Sequence, residues 1–339
     1  MADRLRLGLV GVGRVVERYH LRAVRGVPEV YPAVAVDINE ERARQFAQRQ
    51  GLPLSTTHLQ DLFGKVDLAI VALPNGLHAS VVCELLSNGI HVLCEKPMAR
   101  NVPECRAMIE AARRGGAQLC IGHNRRFRNN VTLAKHLMEK GILGEVTRIE
   151  AEEGSTADWP RSPAYFDPVQ AGGGALIDVG IHSIDLIRWL VGEFREIEYR
   201  GDGTATTVES EAELGFRMAN GAEGKLLASR MRDLQQHIRI TGSEGYLDIG
   251  LWSDNLRMRS NKGKAFQQMP YLDAYVSRRP PQDASFVLQL SNLVNAIRGQ
   301  EKVLVDGIEG MAAVEVVIKA YGQGAPLDDS PAGFAGGDL

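Results

Sequence analysis

No stretch of this 339-residue chain approaches the roughly 20 consecutive apolar residues that a membrane span needs. An apolar leader segment is missing as well: Met-Ala-Asp-Arg-Leu-Arg-Leu runs straight into a short apolar segment. The four cysteines (Cys83, Cys94, Cys105, Cys120) contain no C-x-x-C pair and read as buried thiols of a reducing, cytoplasmic compartment. The eight histidines form no H-x-x-x-H or Cys/His cluster, so no metal site is expected. A basic stripe is also lacking. With 39 Lys and Arg against 42 Asp and Glu, the net charge of −3 argues against a nucleic-acid partner. What is present, 44% hydrophobic and 24% charged residues, suits a globular protein of about two domains.

The most informative segment is Leu5 to Val16, a short apolar strand leading directly into Gly11-x-Gly13. A glycine turn between a buried strand and a helix presents backbone N–H groups to a pyrophosphate. Gly11 permits the tight turn, Gly13 leaves room for the diphosphate, and the helix after it aims its positive end at the same spot. The third position of the fingerprint is Val16 where Gly or Ala is usual, which should hold the helix slightly off the strand. The next apolar run, Ala33 to Val36, closes on Asp37, 24 positions after Gly13. A carboxylate there accepts ribose hydroxyls and repels a 2′-phosphate, which favours NAD and makes NADP the less expected cofactor. The same side chain would also serve as a cap for the helix starting near Asn39.

Apolar runs at 5–10, 33–37, 67–73, 90–94 and 117–121 alternate with helical patterns near 14–26, 40–50, 77–88 and 102–115. Such alternation predicts an α/β, doubly wound parallel sheet over residues 1–123, with ligands at the carboxyl ends of its strands. From residue 124 to 328 the pattern predicts an α+β domain with an open, largely antiparallel sheet. One helical segment (175–192) precedes strand-like runs at 194–200, 209–217, 223–230, 236–241 and 245–249, and helices follow at 284–299 and 307–321. The small, Gly-rich tail 329–339 reads as disordered.

Two constellations carry chemistry. Glu95-Lys96-Pro97 closes the fifth apolar run, where Pro97 restrains the backbone of Lys96. A solvated lysine at a strand end is the plain alternative. In Gly172-Gly-Gly-Ala-Leu-Ile-Asp178-Val-Gly-Ile-His182, the Asp and His stand four apart, so on a helix they share a face. A carboxylate beside the imidazole would orient it and raise its pKa toward neutrality, as a general base requires, and Asp185 is a second candidate partner. A merely structural Asp–His pair fits the same pattern.

With these residues on the page, the chain resembles the glucose–fructose oxidoreductase, inositol dehydrogenase and rhizopine-catabolism (Gfo/Idh/MocA) family. The resemblance runs from Gly8 to about Pro326 and is carried by Gly8-Leu-Val-Gly11-Val-Gly13, Pro74-Asn75-x-x-His78, Glu95-Lys96-Pro97, Asn124-Arg125-Arg126-Phe127 and Asp178-x-x-x-His182. It implies an N-terminal Rossmann domain, a C-terminal sheet that shapes the substrate site, and association through that sheet into homodimers or homotetramers. It also implies that Lys96, Asp178 and His182 converge at the nicotinamide. The expected cofactor set is Gly11, Val12, Gly13, Arg14, Val15, Asp37, Leu73, Pro74, Asn75, His78, Glu95, Lys96, Asn124 and Arg126.

These readings lead to hydride transfer between NAD and a secondary alcohol of a sugar, sugar derivative or cyclitol, with no metal involved. The expected substrate contacts are Lys96, Asp178 and His182 together with Trp159, Arg161 and Tyr165 of the 154–170 loop, which also holds Asp158 and Asp167. Arg230, Arg232 and Arg278-Arg279 could receive a phosphate or nucleotide, but as scattered arginines they read more often as surface charges. The alternating Leu214, Phe216 and Met218 suggest an apolar sheet face awaiting a second copy, or equally one packed on the domain's own helices. A glycosidase acting through transient oxidation and a non-catalytic dinucleotide sensor are the alternative functions.

Overall fold

A computed structural model describes residues 4–156, 163–204, 207–260 and 284–326. The first sheet contains β1 (Leu5–Val10), β2 (Val30–Val36), β3 (Leu54–Thr56), β4 (Leu68–Val71), β5 (His91–Cys94) and β6 (Leu119–Ile121), all parallel, in the order 3-2-1-4-5-6. This is the doubly wound Rossmann arrangement, whose order reverses between β1 and β4 and opens a crevice at the strand ends. Four helices flank it: α1 (Leu21–Gly26), α2 (Glu40–Gln50), α3 (Asn75–Ser87) and α4 (Val102–Gly115). Asn39 caps α2 by accepting from the Arg42 amide, Asn101 caps α4 from the Glu104 amide, and left-handed Gly51 and Gly116 end them. β3 has only three half-buried residues, too few to give a strand signal in the sequence.

The second sheet is mixed and mostly antiparallel. Its strands are β7 (Val146–Gly154), β8 (Phe194–Gly201), β9 (Glu211–Met218), β10 (Glu223–Ser229), β11 (His237–Gly242), β12 (Gly245–Gly250), β13 (Leu256–Ser260) and the two-residue β14 (Ala325–Pro326). The order is 13-12-11-7-10-9-8-14, with β7/β10 and β8/β14 parallel. β7 and the helix α5 (Asn129–Glu139) before it are absent from the sequence-based element list. In β7 only Ile149 and Ala151 give an apolar signal, because the third inward side chain is Glu153.

Two further short helices, α6 (Pro168–Ala171) and α7 (Ile181–Val191), precede β8. One face of the second sheet is covered from within: Leu214, Phe216 and Met218 are buried with Ile184, Ile187, Val314 and Val317 in one core. They are therefore not an open apolar face; the alternation that suggested one is satisfied by the domain's own helices. The opposite face carries ion pairs such as Lys225–Glu213 at 2.7 Å and Arg239–Asp248 at 2.6 Å.

The last two helices, α8 (Ala284–Ile297) and α9 (Gly307–Tyr321), return to the first sheet. Leu290, Leu293 and Val294 of α8 share a core with Leu7, Leu9 and Val16. Between them, Val305 accepts a hydrogen bond from the Ile121 amide at 2.9 Å, extending the edge at β6. The chain thus crosses repeatedly between the sheets, and side chains from both meet at the carboxyl ends of β4, β5 and β6.

Candidate active site

At the β1 end, Gly11 adopts a φ of +84° and its amide donates to Val36 at 2.8 Å. A Cβ there would collide with the Ala72 carbonyl oxygen and the Leu73 side chain, so only glycine fits. A Cβ on Gly13 would meet nothing within 4 Å, which leaves this side of the turn open for a ligand. Val16, the departure from the fingerprint, is fully buried and begins a π-helical turn, Val16–His20, ahead of α1. This wider turn accommodates the branched side chain in the core. The helical run itself opens at Arg14, and the Glu17 amide in its first turn donates to the Gly13 carbonyl at 3.1 Å. Val12 is buried, Val15 half-buried and Arg14 exposed along this edge.

Asp37 is buried and accepts from the Val12 amide at 3.2 Å and the Asn39 amide at 3.0 Å, with the Arg42 guanidinium 3.3 Å away. It ties the glycine turn to the tip of β2, while Asn39 takes the capping role. Beside it, Ile38 is 94% exposed, an apolar side chain at the crevice that the sequence reading passed over.

Several of the residues expected to line the cofactor make bonds that brace the surrounding loops. His78 is fully buried, with its ring nitrogens 2.9 Å from the carbonyl oxygens of Pro97 and Leu73. It joins the loops after β4 and β5 and has no surface left for a ligand. Asn75, which follows Pro74 at the start of α3, donates to the Ala171 carbonyl of α6 at 2.8 Å. Arg126 is 1% exposed, its guanidinium shared between Asp185 (2.6 and 3.0 Å) and Glu309 (2.7 Å). Its guanidinium is committed to a buried ion pair, and this pair occupies both carboxylate oxygens of Asp185. Asn124 donates to Ser285 of α8 at 2.9 Å. Glu95 stays at the strand end, bonded to buried His20 at 2.7 Å and to the Lys96 amide at 3.2 Å.

Lys96 and Asp178 come together from the two halves of the chain. The Lys96 ammonium donates to the Asp178 backbone carbonyl at 2.7 Å and to its carboxylate Oδ1 at 3.1 Å. The other oxygen, Oδ2, accepts from the Tyr165 hydroxyl at 2.6 Å and lies 3.3 Å from Arg230 Nε. The expected Asp178–His182 dyad is not formed, because three donors from other elements occupy both carboxylate oxygens. Burial would raise the Asp178 pKa, but Lys96, Arg230 and the Tyr165 hydroxyl hold it down to about 2. His182 departs from expectation in direction as well: burial, then Arg125, Lys96 and His123, push its pKa well below the ordinary histidine value. The imidazole is therefore neutral at pH 7, able to accept a proton.

Arg230 is buried and not a surface charge; its guanidinium lies 3.8 Å from the centroid of the Tyr165 ring. Arg232, by contrast, sits at the surface on Glu211. Trp159, Arg161, Asp158, Arg278, Arg279 and the tail 329–339 lie outside the described residues. Asp167 caps α6 through the Val169 amide at 2.8 Å. The glycines at 172–174 pack against protein: a Cβ would strike Arg100 at Gly172, Tyr321 at Gly173 and Glu209 at Gly174. Glu209, missed in the sequence, accepts from the Gly174 amide (2.8 Å), the Leu176 amide (3.0 Å) and the Tyr321 hydroxyl (2.7 Å), so it fixes the start of the Asp178 turn. Arg125, Glu153 and Ser183 form another buried network beside His182, with Ser183 donating to Glu153 at 2.9 Å.

Comparison with known proteins agrees with this architecture. Residues 5–123 match the family described as "Oxidoreductase family, NAD-binding Rossmann fold", and residues 131–248 match the "GFO/IDH/MocA C-terminal domain". The chain is 25% identical over 329 residues to myo-inositol 2-dehydrogenase of Thermotoga maritima, covering 91% of this chain and 93% of that protein. It is 31% identical over 286 residues to levoglucosan dehydrogenase of Pseudarthrobacter phenanthrenivorans, covering 72% and 73%. A solved levoglucosan dehydrogenase in complex with NADH and levoglucosan shares the fold with a TM-score of 0.81, at 24% identity over 95% of this chain and 98% of that one.

Proposed function

This chain belongs to the Gfo/Idh/MocA family of NAD-binding oxidoreductases, and from that premise we propose that it oxidises a secondary alcohol of a polyhydroxylated ring, a sugar derivative or cyclitol, reversibly. The observation that carries this reading is the meeting of Lys96 with Asp178 beside a neutral His182, at the carboxyl end of the nucleotide-binding sheet. The cradle suits a dinucleotide on several counts: the collision that requires glycine at position 11, the open side at Gly13, and the exposed Ile38 against which an adenine face can lie. Held on the Gly11–Gly13 turn and Asp37, NAD would supply the hydride acceptor.

The chain's own groups handle the proton and the charge. His182 takes the hydroxyl proton through its uncharged ring. Lys96, held by Asp178, hydrogen-bonds the same oxygen and stabilises it as it becomes alkoxide-like. A unit charge about 4 Å away at an effective dielectric near 20 contributes ~4 kcal/mol, roughly three decades in rate. A positioned base contributes about 10²–10⁴-fold, so the two effects are of similar size. Asp178 serves the lysine where the sequence had assigned it to the histidine.

The two relatives compared above act on compounds of this class, as the names myo-inositol 2-dehydrogenase and levoglucosan dehydrogenase state. The test is an absorbance screen at the NADH band over inositols, free sugars, anhydrosugars and nucleotide-sugars, with NAD and NADP compared. Net NADH formation with a ring polyol supports the proposal. Product formation without net NADH from a glycoside would replace it with transient oxidation, and silence with every class would count against catalysis.

A further inference from the structure

Behind His182 stands a second imidazole that the proposed chemistry does not use. His123 follows β6, is 1% exposed, and neither ring nitrogen has a hydrogen-bond partner among the described residues. Its ring meets that of His182 edge to face, with centroids 6.0 Å apart. Nδ1 of His182 is likewise buried and without a partner. On the far side, Asp185 Oδ2 lies 3.9 Å from His123 Nδ1, beyond hydrogen-bond distance, and is itself fixed by Arg126. Native proteins rarely leave one buried ring nitrogen unsatisfied without a reason, and here three belong to two rings in contact, one of them beside a carboxylate. Polar groups separated in this way are commonly joined by one ordered water with several partners.

We propose that His182, one bridging water, His123 and Asp185 form a proton relay, in which His123 is the positioning residue that fixes His182 as its Nδ1–H tautomer. The proposal rests on His182 being the base. A base acting through Nε2 must carry its resting proton on Nδ1, and that proton needs an acceptor. Asp178 is unavailable, because Lys96, Tyr165 and Arg230 occupy it. In the relay the substrate O–H bond breaks and its proton joins His182 Nε2. The Nδ1 proton passes to the water, and a water proton passes to His123, whose other nitrogen faces the Asp185 carboxylate. Only protons move along this path, and the hydride leaves separately to the nicotinamide.

The charged groups around the pair set its response to pH. Burial, Arg126 and Lys96 disfavour a charge on His123, while Asp185 and Glu95 favour it; burial, Arg125 and Lys96 disfavour one on His182. Neither ring is charged at rest, each carrying a single ring proton, so the relay carries charge only during turnover.

Two measurements on the full-length protein test this. In protein labelled with ¹⁵N at its eight histidines, long-range proton–nitrogen correlation reads the tautomer of His182 without any turnover. The Nδ1–H form is expected in the wild type and is lost in His123→Phe, which keeps the edge-to-face ring; an Nε2–H wild type overturns the relay. Kinetically, His123→Phe should lower kcat about 10-fold or more, a part of the roughly 10²–10⁴ that the base supplies, and shift the pH profile with NAD affinity unchanged. His123→Gln, which can still exchange hydrogen bonds with a water, should recover part of the loss if the phenylalanine variant folds poorly. Wild-type kcat and an unchanged pH profile in both variants would overturn the relay alone. Turnover surviving His182→Ala would overturn the base assignment as well, so the two failures are told apart.

Discussion

The ammonium of Lys96 is bonded to Asp178 twice, at the backbone carbonyl (2.7 Å) and at the carboxylate (3.1 Å), so the acidic residue one helical turn before His182 belongs to the lysine. The bond crosses from the loop after β5 to the turn before α7. It fixes a flexible side chain whose rotamer freedom would otherwise be lost on substrate binding. Asp178→Asn keeps an acceptor for Lys96 but turns an amide toward donors that now bond Oδ2. We expect kcat to fall by about 10–100-fold, less than for loss of Lys96 or His182, because the backbone carbonyl still holds the ammonium. Arg230→Met, which removes a cation from the same carboxylate, should raise KM as well as lower kcat. Steady-state kinetics of both variants check this, and unchanged kinetics would show the ion cluster to be irrelevant to turnover.

Cofactor choice is expected to depend on Asp37. Its carboxylate already accepts two backbone amides, and Arg42 stands beside it at 3.3 Å. NAD should bind more tightly than NADP to the wild type. Asp37→Ala should narrow that difference by removing ribose hydrogen bonds, each worth about 0.5–1.5 kcal/mol and more when charged, and by leaving Arg42 free to meet a 2′-phosphate. Titration of both cofactors into both proteins measures it, and a wild type that prefers NADP would contradict the assignment.

Acid should destabilise the fold early. Burial lowers the pKa values of His78, His91, His123 and His182, so the folded protein binds fewer protons than the unfolded chain below about pH 6.5. Stability is therefore full above that pH and declines as pH falls toward the depressed folded values. Each group steepens the decline by about 1.4 kcal/mol per pH unit while it titrates only in the unfolded state. Urea unfolding at pH 7.5, 6.5 and 5.5 reads the slope; equal stability at all three would contradict the buried, neutral state of these rings.

Association should run through the open face of the second sheet and should weaken with salt. That face carries charge of both signs along its length: Glu196, Glu198 and Glu213 stand with Arg200 and Arg217 toward one end, Arg239, Arg257 and Arg259 with Asp248 toward the other. Two copies packed through it would add ion pairs between charges of opposite sign. Light scattering should give a dimer or tetramer at low ionic strength, whereas a 37.1 kDa monomer at micromolar concentration would refute this.

Much of the fold is legible in the sequence, since the parallel strands and the runs from β8 to β12 carry clear apolar periodicity. β3 escapes because its three residues are only half-buried and Leu54 alone is apolar, and β7 because Glu153 occupies an inward position that pairs with Arg125 and Ser183. At the site, Lys96, Asp178 and His182 are recognisable by motif, but their pairing is not. A spacing of four puts two helical side chains on one face, yet it says nothing of Lys96, Tyr165 and Arg230 arriving from elsewhere. Arg230 has no motif around it, and only its burial at Asp178 distinguishes it from Arg232 two residues on. His78 and Arg126 show the converse: both stand in recognisable motifs, and both are consumed by protein contacts.

The central claim is that Lys96 and His182 act on the reacting hydroxyl and not on cofactor binding. The most direct measurement is kcat for Lys96→Ala and His182→Ala on the best ring polyol, with NAD affinity followed separately by fluorescence. Groups that act mainly in the transition state lower kcat and kcat/KM together. The account predicts losses of roughly 10²–10⁴-fold in kcat for each variant, with NAD binding changed only modestly. A His182→Ala protein with near-normal kcat, or a Lys96→Ala protein that fails only in binding NAD, would contradict it.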